Sequence, residues 1–341
     1  MKTIYLHVGN FKTGTSAIQK FCSDHRRELL GLGYDYIKSA RPRSNPTNHG
    51  KLPISLIMQY ERNKPTWYDD KESFQQISKA VIDEIEESSA NNIIISSEEF
   101  YRIPGCKAST IENATTDLRA IFLKYDVKVI MYVRRPLDML KSWYNQINKS
   151  NMPIRRFADF FYYMNTFLLL PQPNAVFWRN CFGAECLHLE PYHLEGTEHI
   201  NRFIELIGID GSINIRPSTY KINPKRNEDT LESDRISRIM LLEKETERDK
   251  YLNSFVFQNA STQKKLMEKI NLINQEFSNF CESENLSIPN ASFEINDLLI
   301  HEEKVNGSEK VTPSSFRKML AVVRDSDLAR IAKTIRRTFQ R

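Results

Sequence analysis

The chain has 341 residues, of which 40% are hydrophobic and 27% charged, a globular composition that excludes a disordered or fibrous polypeptide. Its formal net charge of +5 is spread over 48 basic and 43 acidic side chains, which gives no nucleic-acid-binding footprint but suits an anionic ligand. No apolar run reaches the ~18 residues that cross a membrane, so neither nucleic acid nor the bilayer interior is an expected partner.

From Met1-Lys2-Thr3 the chain passes directly into a β-branched, apolar run over residues 3–8 that stops at Gly9. No apolar leader precedes it, and a cytoplasmic location is expected. A helical pattern begins near Thr13, with Ile18, Phe21 and Cys22 on one side. Residues 39–53 are rich in Pro, Asn and Ser and read as a loop containing Asn48-His49-Gly50. Helical spacing returns at 71–89 through Phe74, Ile77, Val81, Ile82 and Ile85, and a buried-type strand follows at 93–97. A helix over about 110–125 leads into the strand 127–133, which ends at Arg134-Arg135-Pro136 and hands over to a helix at 137–149. The apolar stretch 157–170 reads as one buried helix, and a further strand at 185–189 precedes a helix carrying Ile200, Phe203, Ile204 and Ile207. Strands and helices alternating at these lengths predict an α/β fold, a parallel sheet flanked by helices. Beyond about residue 227 the chain turns charged and strand-poor. Residues 228–283 and 313–340 read as helical, so a core of 1–227 and a helical C-terminal extension of 228–341 packed on it are expected. The cysteines (Cys22, Cys106, Cys181, Cys186, Cys281) make no CxxC pair and no Cys/His cluster, so reduced buried thiols and no metal site are expected.

The strongest chemical signal is the segment after the first strand, Gly9-Asn10-Phe11-Lys12-Thr13-Gly14-Thr15-Ser16. A loop between a buried strand and a helix offers free backbone N–H groups and the positive end of the helix dipole to a phosphate. Glycines let the backbone curl, and hydroxyls add donors. Gly9 and Gly14 keep the spacing of a nucleotide-binding P-loop, but Thr15 stands where the usual lysine follows the second glycine, and the lysine sits earlier, at Lys12. In a kinase that lysine serves the β/γ-phosphates and its neighbour holds Mg²⁺. A lysine inside the loop suits a shorter phosphosulfate.

This segment resembles the 5′-phosphosulfate signature of sulfotransferases that use 3′-phosphoadenosine 5′-phosphosulfate (PAPS), whose usual core is PKTGTT or PKSGTT. Phe11 replaces the common proline, and Ser16 closes the motif. The resemblance implies that Lys12, Thr13, Gly14, Thr15 and Ser16, with Gly9 at the turn, cradle the 5′-phosphosulfate. It extends to a second segment, Arg134-Arg135-Pro136-Leu137-Asp138-Met139-Leu140-Lys141-Ser142-Trp143-Tyr144. The family places an arginine at a strand end and a serine eight residues later for the 3′-phosphate, and Arg134 and Ser142 have that spacing. An arginine fork at a helix N-terminus suits a terminal phosphate. Further along, Tyr192 falls near the family's adenine-side aromatic. Arg226, in Asn223-Pro224-Lys225-Arg226-Asn227, resembles a basic segment of bacterial carbohydrate-type members.

Sulfuryl transfer needs a base at the carboxyl end of the sheet, an in-line acceptor, and a cation for the charge on the leaving phosphate. Lys12 fits the last role. Glu98, directly after strand 93–97, is the leading base, since several glycan-modifying relatives use a glutamate there. His49 on the loop after the first helix is the rival. The resemblance therefore implies metal-free transfer from PAPS, leaving 3′,5′-ADP, to a hydroxyl or amine of a carbohydrate or glycolipid. A P-loop kinase or NTPase and a catalytically silent nucleotide-binding module are the alternatives.

Overall fold

A computed structural model describes residues 1–65, 67–149, 153–192, 198–209, 228–253, 256–257 and 259–298. Five strands, β1 (Thr3–His7), β2 (Tyr34–Tyr36), β3 (Asn92–Ser96), β4 (Asp126–Val133) and β5 (Leu187–Pro191), form one sheet in the order β2-β3-β1-β4-β5. Every pairing is parallel, with Thr3 in register with both Asn92 and Asp126. From the central β1 the chain fills one side of the sheet and then crosses to the other. The carboxyl ends of β1, β3 and β4 therefore lie side by side at the switch of direction, the usual ligand crevice of an open α/β sheet.

The helices preceding β4 are α1 (Thr15–Asp24), α2 (Arg26–Gly31), α3 (Lys51–Tyr60), α4 (Phe74–Glu87) and α5 (Ala108–Phe122). Those after it are α6 (Pro136–Ile147), α7 (Phe157–Tyr163), α8 (Gln172–Phe182), α9 (Glu198–Leu206), α10 (Glu228–Met240), α11 (Glu245–Leu252) and α12 (Ala260–Ser283). Side chains alternate across a strand, which sorts the core into two layers. Ile4, Leu6, Ile93, Ile95, Val129 and Met131 pack with residues of α3, α4, α5 and α8. Tyr5, Ile94, Ile130 and Tyr132 point the other way, with Ile18, Phe21 and Phe203 of α1 and α9. A third cluster joins Leu140 of α6, Phe161 of α7 and Leu266, Ile270 and Ile273 of α12. The far end of α12 reaches the first layer through Phe277 and Phe280, so this helix bridges two clusters.

The structure departs from the expected elements in two instructive places. The stretch 157–170 is broken: α7 stops at Tyr163, and Asn165 Oδ1 accepts the Phe167 N–H at 3.0 Å to start a separate 3-10 turn (Thr166–Leu169). A short side chain that bonds its own backbone competes with the helix, and here it wins. Lys269 on α12 meets the exposed carbonyls of α7, donating to Phe161 O at 2.7 Å and Tyr162 O at 3.0 Å. The loop expected through residue 53 ends earlier, at Gly50, and α3 absorbs Pro53. Proline in a first turn removes an N–H that has no helical partner anyway. The proposed boundary at 227/228 adjoins residues 210–227, which lie outside the described set, as do Arg226 and the helix expected at 313–340. Among the described residues no helix is long and apolar enough to cross a membrane.

Candidate active site

The loop after β1 is built to hold its backbone open. Lys12 (φ 69°) and Gly14 (φ 73°) both adopt the left-handed region, which turns successive N–H groups toward a common concavity. Thr13 Oγ1 donates to Asn10 O at 2.6 Å and closes the curl from inside. Among the described residues no side chain caps α1, which starts directly after Gly14. Thr15 Oγ1 and Asn10 Oδ1 are buried and have no hydrogen-bond partner among the described residues. Such atoms are normally satisfied, and the Thr15 hydroxyl is a donor that an anion at the loop would satisfy. Space here is tight: a Cβ on Gly9 would lie 2.5 Å from Thr15 Oγ1, and one on Gly14 would lie 2.8 Å from His199 Nε2. Ser16 is exposed on the first turn of α1.

Arg134, at the end of β4, lies across this loop. It is buried, and its Nη1 donates to the carbonyl oxygen of Lys12. Its guanidinium carbon sits 5.3 Å from the Tyr192 ring, a cation–π distance, while its Nε is buried with no partner among the described residues. Tyr192 is held by its own N–H to Val133 O at 2.8 Å and by edge contact with His199 at 5.8 Å. Burial, then Arg134 and Lys149, push the Lys12 ammonium below its ordinary range, and Glu98 opposes them. Cations crowded this way favour an anion between them.

Lys12 Nζ donates to Gln146 Oε1 on α6. Ser142, half-buried, lies four residues before Gln146 and so shares its helix face. Phe11 occupies a gap between aromatic rings, 5.4 Å from Trp143 and 6.2 Å from Tyr101. That packing anchors the position where the resembling family has proline.

Glu98 opens a 3-10 turn (Glu98–Gly105) one residue after β3, with Ser97 as its N-cap. Its Oε2 accepts from Gln19 Nε2 at 2.9 Å and from Asn48 Nδ2 at 3.0 Å. Burial pushes its carboxyl above the ordinary range, against the opposing pull of its own N–H, Gln19, Lys12 and Asn48. A carboxylate with a raised pKa next to a lysine is equipped to take a proton. The neighbouring Glu99 is buried, and burial together with the Glu98 charge raises it to about 7.

His49 is not arranged as a base. It is fully buried, its Nε2 lies 2.8 Å from Ile37 O, and its Nδ1 accepts the Ser96 N–H at 3.0 Å. Both ring nitrogens are therefore committed to backbone, and burial lowers its pKa to about 3. The ring rivets the loop 37–50 to the end of β3, a structural role.

The structure thus brings Gly9, Lys12, Thr13, Gly14, Thr15, Arg134, Tyr192 and Glu98 together beyond the carboxyl ends of β1, β3, β4 and β5, with Ser142 on the following helix α6. Sequence reasoning passed over His199, Gln19, Asn48 and Gln146. Gln19 carried one visible signal, an amide on the apolar side of α1, where it is 1% exposed. His199 carried none, because its contact with Gly14 depends on how α9 docks.

No family model and no curated protein matches the chain. Among solved structures it is similar to a sulfotransferase from Alicyclobacillus acidocaldarius, at 13% identity, covering 70% of this chain and 94% of that one, with a TM-score of 0.40.

Proposed function

We propose that this protein is a PAPS-dependent sulfotransferase acting on a hydroxyl or amine of a carbohydrate or glycolipid. In this reading residues 1–227 are the PAPS-binding core, and the described helices α10, α11 and α12 belong to the region C-terminal to it. The observation that carries the reading is the junction of the two signature segments: Arg134 bonds the backbone of Lys12, and Glu98 stands within electrostatic reach of the same lysine. Orphaned Thr15 Oγ1 and Arg134 Nε, beside a loop in which Gly9, Lys12 and Gly14 take positive φ, fit a bound phosphosulfate nucleotide. In this reading the loop N–H groups and Thr15 hold the 5′-phosphosulfate, Arg134 and Ser142 hold the 3′-phosphate, and Tyr192 flanks the adenine. PAPS supplies an activated sulfuryl group. Glu98 takes the acceptor proton as the acceptor oxygen or nitrogen bonds to sulfur, and Lys12 meets the negative charge left on the bridging oxygen of 3′,5′-ADP.

The test is calorimetric binding of 3′,5′-ADP in EDTA, followed by a screen of glycans and glycolipids with sulfur-labelled PAPS. Binding without metal and labelled product support the reading. Absence of 3′,5′-ADP binding, with Mg²⁺-dependent ATP binding in its place, overturns it in favour of a P-loop NTPase.

A further inference from the structure

Glu98 shows a contact pattern that acting as a base does not by itself demand. Gln19 and Asn48 reach it from different elements, α1 and the loop before α3, yet both amides end on the same oxygen, Oε2. Among the described residues no side chain donates to Oε1, and the one further hydrogen bond to the carboxyl comes from Glu98's own backbone N–H. Both amides are themselves immobilised, each 1% exposed. Asn48 is fixed by its neighbours: His49 N donates to Ser96 O at 2.9 Å, the His49 ring bonds Ile37 and Ser96, and Tyr36 Oη donates to Thr47 O at 2.6 Å. The ionisable groups facing Glu98 are Lys12 from the loop, Glu99 next along the chain and Tyr36 from β2.

An arginine partner would hold the carboxylate with a full charge and weaken it as a base. Two neutral amides orient it at far smaller cost in basicity. We infer that Gln19 and Asn48 are positioning residues that clamp Glu98 through Oε2 and present Oε1 as the proton-accepting atom, with His49 keeping Asn48 in place. The inference rests on Glu98 being the base of the proposed transfer. Oε1 takes the proton as the acceptor–sulfur bond forms and the sulfur–oxygen bond to 3′,5′-ADP breaks. His49 and Glu98, rivals as bases in the sequence, become parts of one device.

The clamp is tested by following the Glu98 carboxyl carbon by NMR through a pH titration of the full chain labelled at glutamate, with Glu98→Gln assigning the signal. Gln19→Met and Asn48→Ala each remove one donor to the charged form, so the titration midpoint moves up by about one pH unit in each. The 3′,5′-ADP dissociation constant stays within about threefold, since neither amide belongs to the phosphate cradle. Midpoints unmoved in both folded variants overturn the clamp; if Gln19→Met does not fold, Asn48→Ala decides alone. If the wild-type chain binds no 3′,5′-ADP, the transfer reading fails while the carboxyl titration still decides whether the amides hold Glu98.

Discussion

Arg134 donates a hydrogen bond to the carbonyl oxygen of Lys12, joining two segments that lie 122 residues apart in sequence. The arginine shapes the loop, and in the proposed reading it also faces the ligand. Arg134→Ala removes both, and Arg134→Lys keeps the charge but loses the fork that reaches backbone and phosphate together. Charge-assisted hydrogen bonds of this kind set the scale, and 3′,5′-ADP affinity is expected to fall roughly 10- to 100-fold in Arg134→Ala. The lysine variant recovers only part of it. Titration calorimetry of both variants checks this, and equal affinity for Arg134→Lys and wild type would show that charge alone matters.

Gly14 has a positive φ of 73°, and a Cβ there would approach His199 Nε2 to 2.8 Å and Tyr192 to 3.1 Å. Gly14→Ala therefore meets two costs, the left-handed backbone at about 1–2 kcal/mol and the displacement of the His199 ring. Adding His199→Ala opens the space but leaves the backbone cost. The double variant is expected to be more stable than the sum of the single changes, by about 1 kcal/mol in urea unfolding. Strict additivity would mean that the ring is not what confines Gly14.

Much of this site was legible before the fold was known, for a physical reason. Phosphate loops are local: strand, Gly9, Gly14 and helix follow one another within a short span, so sequence order carries the geometry. The end of β4 is equally local, and Arg134 and Ser142 could be placed by spacing. What sequence did not carry was the meeting of distant segments. Glu98 was proposed from its adjacency to a strand, but the donors that meet it come from 79 and 50 residues away. His49 stayed a rival to Glu98 in the sequence because a loop histidine there shows nothing of the two backbone groups, on Ile37 and Ser96, that occupy its ring. The β2 strand was missed because three residues, Tyr34–Tyr36, are too few to show a period.

Lys12 carries the charge argument to its chemical consequence. Its ammonium contacts Gln146 and lies beside Arg134, Lys149 and Glu98, among which only Glu98 favours its charge. An anionic leaving group would relieve that crowding, most strongly where negative charge builds up during transfer. Lys12→Ala is expected to lower the rate of sulfuryl transfer at least ~100-fold, while 3′,5′-ADP affinity falls less than about tenfold. Steady-state assays with labelled PAPS and the acceptor found in the screen give the first number, and calorimetry the second. A matching loss in both would assign Lys12 to binding alone.

Two buried groups near the end of β3 pull stability in opposite directions with pH. His49 is depressed from the ordinary 6.5 to about 3, chiefly by burial. Below pH 6.5 the unfolded chain gains a proton that the folded chain refuses, so His49 costs stability as pH falls, roughly 2 kcal/mol between pH 7 and 5. Glu99 is raised from 4.5 to about 7 by burial and the Glu98 charge. Here the folded chain binds a proton that the unfolded chain lacks. This contribution is fully present below pH 4.5, is lost as pH rises through 7, and amounts to a gain of roughly 2 kcal/mol from pH 7 down to 5. Glu99→Gln, close in shape to the protonated acid, removes the gain and leaves the histidine cost uncompensated. Urea unfolding at pH 7 and 5 is therefore expected to show the variant losing about 2 kcal/mol more than the wild type over that interval. His49→Gln is expected to change the slope with the opposite sign. Identical slopes in wild type and Glu99→Gln would mean that Glu99 remains ionised in the folded protein.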